Sequence, residues 1–155
     1  MAMEIERKFL VKSDDYKQLA LPVKYSQGYV AILEDRIVRV RIAGEIGYIT
    51  LKIKISNLIR KEYEYKIPIE DARELLNEAS VTGVVEKLRY TFLSNGNTWE
   101  VDEFYGDNEG LVVAEIELSS ADQQFDKPEW LGIEVTDDDR YLNANLAKNP
   151  YTKWI

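Results

Sequence analysis

Hydrophobic and polar residues alternate with a period of two along most of this chain, so most of it is expected to be β-strand. From Glu4 to Val11, one face carries Glu4, Glu6 and Lys8 and the other Ile5, Phe9 and Val11, with Arg7 the exception. Lys24 to Leu33 reads as a second strand, in which Gly28 marks a bulge or a close backbone approach. Arg36 to Ile42 sets Arg39 and Arg41 opposite Val38, Val40 and Ile42, and Tyr48 to Ile55 sets Thr50, Lys52 and Lys54 opposite Leu51, Ile53 and Ile55. Ile59 to Ile67 places Arg60, Glu62, Glu64 and Lys66 against Tyr63, Tyr65 and Ile67. Val84 to Leu93 sets Lys87 and Arg89 against Leu88, Tyr90 and Phe92. Thr98 to Phe104 sets Glu100 and Asp102 against Trp99 and Val101, and Leu111 to Leu118 sets Glu115 and Glu117 against Ala114 and Ile116. Short turns, among them Glu34-Asp35, Ser56-Asn57 and Asn95-Gly96, join most of these runs and predict antiparallel neighbours.

Helical spacing is confined to a few places. Ala72, Leu75, Leu76 and Ala79 predict a helix over 70–79 that packs on the apolar side of the sheet. A short helix is expected from Ser13 to Leu19, another near Ala121 to Phe125, and a final one over 138–148; the stretch around Trp130 and Gly132 reads as irregular.

The polar faces carry like charges two residues apart: Arg39/Arg41, Lys52/Lys54 and Lys87/Arg89 are cationic, Glu4/Glu6 and Glu115/Glu117 anionic. Like neighbours on one sheet face repel, so a sheet shaped only by stability tends to mix signs. One architecture is an open sheet with a solvated, salt-laced face. The other closes eight strands into a barrel whose interior has room for side chains and one small ligand. The expected fold is the second: α+β, an eight-stranded antiparallel β-barrel with helices packed outside and a C-terminal helix, forming one domain over 1–155.

Composition narrows the chemistry. The 155 residues include neither cysteine nor histidine, so metal binding and proton transfer fall to carboxylates, lysine, tyrosine or water. A net charge of −8 gives little attraction for duplex nucleic acid or an anionic membrane, and an anionic ligand needs a local cation cluster. No apolar run has the length of a signal peptide or a membrane span, and the expected location is the cytoplasm. Clustered Arg and Lys call for phosphate oxygens, and carboxylates without His or Cys call for a hard ion, Mg²⁺ or Mn²⁺.

The residues carrying this chemistry resemble the CYTH superfamily of triphosphate tunnel metalloenzymes. The matching motifs are Glu4-x-Glu6-x-Lys8, Gln27-Gly28-Tyr29, Arg39-x-Arg41, Thr50-Leu51-Lys52, Arg60-x-Glu62-x-Glu64, Glu86-Lys87-x-Arg89, Asp102, Glu115-x-Glu117, Glu134-Val135-Thr136 and Arg140-Tyr141-x-Asn143. The resemblance implies an eight-stranded tunnel that hydrolyses or rearranges triphosphate compounds with a divalent metal. It implies metal ligation by Glu4, Glu6, Glu115 and Glu117, joined by Asp102. It implies phosphate binding by Lys8, Arg39, Arg41, Lys52, Lys87 and Arg89, with Glu62 and Glu64 orienting those cations and Arg60 serving the clamp or the ion-pair network. Glu4, Glu6, Lys8 and Lys52 form the catalytic core in this reading. Lys54 falls beyond the matched motif, Glu100 and Lys66 are expected at a tunnel mouth, and Tyr29 and Tyr141 sit inside motifs. The short loops favour inorganic tripolyphosphate as substrate. Alternatives are a nucleoside or thiamine triphosphatase, an adenylate cyclase, or a non-catalytic polyphosphate- or nucleotide-binding module, and a homodimer is left open.

Overall fold

A computed structural model describes residues 2–154. Strands β1 (Ala2–Val11), β2 (Val23–Ile32), β3 (Arg36–Ala43), β4 (Ile46–Lys54), β5 (Ile59–Ile67), β6 (Val85–Ser94), β7 (Asn97–Tyr105) and β8 (Val112–Glu117) form an antiparallel ring. The order runs β5-β4-β3-β2-β6-β7-β8-β1, and β1 returns to β5 to close it. β1 divides one edge between two partners. Its first half pairs with β5, from Ala2↔Glu62 to Ile5↔Ile59. Its second half pairs with a ninth strand, β9 (Leu131–Glu134), through Phe9↔Glu134 and Val11↔Leu131. The closed barrel is therefore borne out, with β9 added. β9 falls in the stretch expected to be irregular, because its four residues are too few to show a period.

The period-two pattern explains which side faces in: charged positions point into the lumen and most apolar positions outward. One buried cluster therefore lies outside the barrel, while a second, on lumen-facing positions such as Tyr29 and Val113, fills one end of it. One cluster joins Phe9, Tyr16, Tyr90, Phe92, Trp99, Ile116 and Trp130 on the outside of β1, β6, β7 and β8. Edge-to-face contacts organise it, with Trp99–Trp130 centroids 5.3 Å apart and Tyr16–Tyr90 5.2 Å. The second gathers Tyr29, Phe104, Leu111, Val113, Tyr141 and Leu146 under the C-terminal segment. The helix α1 (Ile69–Glu78) packs on β2, β3 and β4. It can do so because of two glycines: a Cβ on Gly28 would stand 2.7 Å from Ser80 Oγ, and one on Gly47 would stand 2.8 Å from Ala72 Cβ. The expected close approach at Gly28 is thus the seat of the segment after α1.

The other helices are shorter than the sequence predicts. The segment after β1 is a 3-10 turn, Asp15–Gln18. Residues 121–122 form a turn and 123–125 have no regular secondary structure in place of the helix, and Phe125 lies edge-on against Phe9 and Trp99. The expected final helix is broken into a 3-10 turn (Asp139–Tyr141) and α2 (Asn143–Lys148). Between them Leu142 is extended, with φ −66° and ψ 135°, while the Asp138 side chain accepts from the Arg140 N–H to start the first turn. The break lets Tyr141 and Leu146 both reach the second cluster.

Candidate functional site

The barrel encloses a cavity of about 410 Å³. Its wall includes Glu4, Glu6, Lys8, Arg39, Arg41, Lys52, Arg60, Glu62, Glu64, Lys87, Arg89, Glu115 and Glu117, so alternation has turned these predicted residues inward. Asp102 is also internal and 2 % exposed. It lies opposite Arg89 in the β6–β7 ladder, and both of its oxygens are engaged by cations. Arg89 Nε and Nη2 donate to Asp102 at 2.7 and 2.9 Å, and Lys87 Nζ stands 2.8 Å from it. Expected among the metal ligands, Asp102 stands here as the anchor of two buried cations.

The carboxylates gather on the wall formed by β1, β7 and β8. Glu6, Glu100 and Glu115 bring oxygens within 4.8 Å of one another. The ladder explains the grouping: Glu115 is opposite both Glu100 and Lys8, and Glu117 is opposite Glu6. Glu100 was expected at a tunnel mouth, yet it lines the cavity; the signal was its place two residues before Asp102 on one strand face. Burial, and then the charges of Glu115 and Glu4, push the Glu6 carboxyl well above its usual range. Burial acts on Glu115 too, but Lys8, 3.6 Å away, and a hydrogen bond from Glu6 draw it below. The two carboxyls are thus pushed in opposite directions. Glu117 is raised by burial and by Glu100 and Glu4. An oxygen-only donor set whose negative charges crowd suits a hard divalent ion.

The cations occupy the rest of the wall. Lys52 reaches Glu4 at 3.1 Å and Glu62 at 3.3 Å. Burial opposes its charge, as does Arg39, but Glu4, Glu6 and Glu62 outweigh them and raise its pKa. Burial likewise pushes Glu4 up, and Lys52 with its hydrogen-bonded neighbours brings it to a net value well below the usual range. Arg39 and Arg41 share one oxygen of Glu64 at 3.2 and 3.3 Å, and Thr50 Oγ1 donates to the same atom at 2.8 Å. Glu64 thus orients both arginines, while the buried Nε atoms of Arg39 and Arg41 have no partner among the described residues. Burial and the neighbouring Arg39 and Arg89 lower Arg41 to about 10. Two guanidiniums crowded together make a cationic patch whose chemistry suits a polyanion.

The C-terminal segment supplies contacts that sequence reasoning left unassigned. Lys8 Nζ donates to the Tyr141 carbonyl at 3.1 Å, and Lys87 Nζ to Asn143 Oδ1 at 2.9 Å. Leu142, Asn143, Ala144 and Asn145 complete one end of the cavity. Tyr29 is 1 % exposed on the wall, and its hydroxyl accepts from Gln27 Nε2 at 3.1 Å; Tyr141 contributes its carbonyl. Lys54 also lines the cavity, whereas Lys66 is not part of its wall.

Comparison with known proteins agrees with this geometry. The profile of the CYTH domain matches residues 2–148. An inorganic triphosphatase of Acetivibrio thermocellus is 54% identical over 151 residues, covering 97% of each chain. One of Nitrosomonas europaea is 41% identical over 149 residues, covering 93% of this chain and 96% of that one. Among solved structures, the crystal structure of an inorganic triphosphatase superposes with a TM-score of 0.68 at 36% identity, covering 92% of this chain and 96% of the other.

Proposed function

This chain belongs to the CYTH domain family, and from that membership and the charges in its barrel we propose that it is an inorganic triphosphatase that hydrolyses tripolyphosphate with a divalent cation, Mg²⁺ or Mn²⁺. The observation that carries the reading is the division of the lumen. Glu6, Glu100 and Glu115 converge on one wall, and Arg39, Arg41 and Lys52 stand on the strands across from it.

In this reading Arg39, Arg41 and Arg89 hold phosphate oxygens through N–H donors that the protein leaves free, and Lys8, Lys52 and Lys87 add charge. Holding the chain in line removes the entropic part of the barrier, and preorganised cations stabilise charge that develops on the transferred phosphoryl group. Glu62 and Glu64 offset the repulsion among those cations. Glu4, Glu6, Glu115 and Glu117, joined by Glu100, would hold the ion. When bound, it supplies Lewis-acid charge and a water of lowered pKa. A carboxylate of this group that the ion does not engage would receive the proton of the attacking water.

Side-by-side phosphate release from tripolyphosphate, ATP and thiamine triphosphate, with each metal and with excess EDTA, tests the proposal. Release from tripolyphosphate in preference to the other two, abolished by EDTA, is expected. Cyclic AMP and pyrophosphate from ATP would indicate a cyclase, and binding without turnover would leave a non-catalytic polyphosphate module.

A further inference from the structure

Tyr25 lies on β2, the strand between β3 and β6, and its ring stands between the guanidiniums of those two neighbours. Arg41 Cζ is 4.9 Å from the ring centroid and Arg89 Cζ is 4.7 Å from it. The ladders account for the placement. Tyr25 pairs with Ala43 on one side, two residues beyond Arg41, and with Lys87 on the other, two residues before Arg89. Both contacts are diagonal, at a distance an aromatic side chain spans.

We propose that Tyr25 is a positioning residue of the phosphate clamp: its aromatic ring separates Arg41 from Arg89 and fixes both guanidiniums toward the substrate. The inference rests on the triphosphatase reading but concerns a residue outside every motif that supports it. The two arginines need such a spacer for different reasons. Arg89 is gripped by Asp102 and Glu100. Among the described residues Arg41 has one carboxylate oxygen, shared with Arg39, and a buried Nε without a partner. Its position therefore depends on what packs beside it, and the face of an aromatic ring is the one surface that attracts a cation without consuming its N–H donors. A carboxylate in the same place would fix Arg41 equally well, but it would take up the donors that a phosphate needs.

Loss of the ring lets Arg41 and Arg89 repel across an empty gap, and Arg41 turns toward the acidic wall. The effect falls on binding of the polyanion. Tyr25→Leu is expected to raise KM for tripolyphosphate, and to weaken its metal-free binding measured by calorimetry, by about 5- to 30-fold. Tyr25→Phe, which keeps the ring, should stay within about twofold of the parent in both measurements. Circular dichroism and melting temperature check that each variant is folded; if Tyr25→Leu is not, Tyr25→Met takes its place. A folded Leu or Met variant with parental KM and affinity overturns the proposal, and so does a Phe variant impaired as much as Leu, which would assign the role to the hydroxyl. If the parent protein neither binds nor cleaves tripolyphosphate, the triphosphatase reading itself fails, a result distinct from either.

Discussion

Arg89 grips Asp102 with two nearly parallel hydrogen bonds, Nε at 2.7 Å and Nη2 at 2.9 Å, and both side chains are buried within the barrel. Burial alone would raise the acid, but Arg89 and Lys87 lower it to about 2. The pair is thus ionised throughout the physiological range, and neither member has water to fall back on. Removing one partner of a buried pair leaves the other uncompensated, at a cost of about 3–5 kcal/mol. Asp102→Ala strands Arg89 and Lys87 together, so denaturant unfolding should show a loss of that order. A loss below about 1 kcal/mol would mean that the carboxylate serves the metal more than the fold.

The acidic wall predicts the opposite stability response. Glu6 is pushed up by burial and by the charges of Glu115 and Glu4, so its removal relieves crowding. Glu6→Ala and Glu115→Ala should lower turnover by about 10²-fold or more through lost transition-state stabilisation. Glu6→Ala should at the same time leave the melting temperature unchanged or higher. Phosphate release by either variant at the parental rate, or by the parent protein in excess EDTA, would remove these residues from the metal site.

Lys52 and Lys54 share a strand face but not an environment. Lys52 bridges Glu4 and Glu62, while Lys54 lines the cavity with no ion pair among the described residues. Lys52→Ala should abolish most turnover, and Lys54→Ala should reduce it only severalfold. Arg41→Lys keeps a charge but loses the planar fork, and it should also impair turnover. Equal inactivity of the two lysine variants, measured on tripolyphosphate, would show that position along the wall matters less than charge.

The sequence showed which side chains face the lumen but not how they pair. A period of two was enough to sort Glu4, Glu6, Arg39, Arg41, Lys87 and Glu115 onto polar faces, because closing a barrel preserves alternation whatever its register. Pairing across strands depends on register, which alternation leaves free. Glu100 joined the acidic group through its ladder position opposite Glu115, and Asp102 was drawn to Arg89 in the same way. Tyr25 was invisible for a related reason, since its two arginines come from different strands. The helix expected over 138–148 is interrupted at the extended Leu142, which neither its cap signal nor its acidic first turn reveals.

Lys87 provides a pH test. Burial, with Arg89 adding to it and Asp102 opposing, pulls its amine from 10.5 down to about 7. In the unfolded chain the ordinary value returns. Between these limits the unfolded state binds more protons, so this group makes stability rise with pH. Below about 7 both states are protonated and the burial penalty is complete; above 10.5 neither is, and the penalty is gone. The melting temperature of the parent protein should therefore climb across this window relative to that of Lys87→Met. Parallel pH profiles for the two proteins would show that Lys87 keeps its proton through interaction with Asp102.

Confinement of Arg39, Arg41, Lys52, Lys87 and Arg89 in one lumen makes the ligand-free barrel electrostatically strained, and a polyanion should relieve the strain. A ligand that binds only the folded state stabilises it by RT ln(1 + [L]/Kd), roughly 2.7 kcal/mol at a hundredfold excess over Kd. For a chain of this length that corresponds to a rise in melting temperature of about 5–11 °C. Tripolyphosphate with Ca²⁺, taken as an ion that supports binding without turnover, should give a saturating rise of this size. Sulfate at matched ionic strength should give little, because one tetrahedral anion cannot reach cations on both sides of the lumen. Arg39→Ala/Arg41→Ala should lose the response. Equal stabilisation by the two anions would show that these cations act as a diffuse field and not as a receptor shaped for a chain of phosphates.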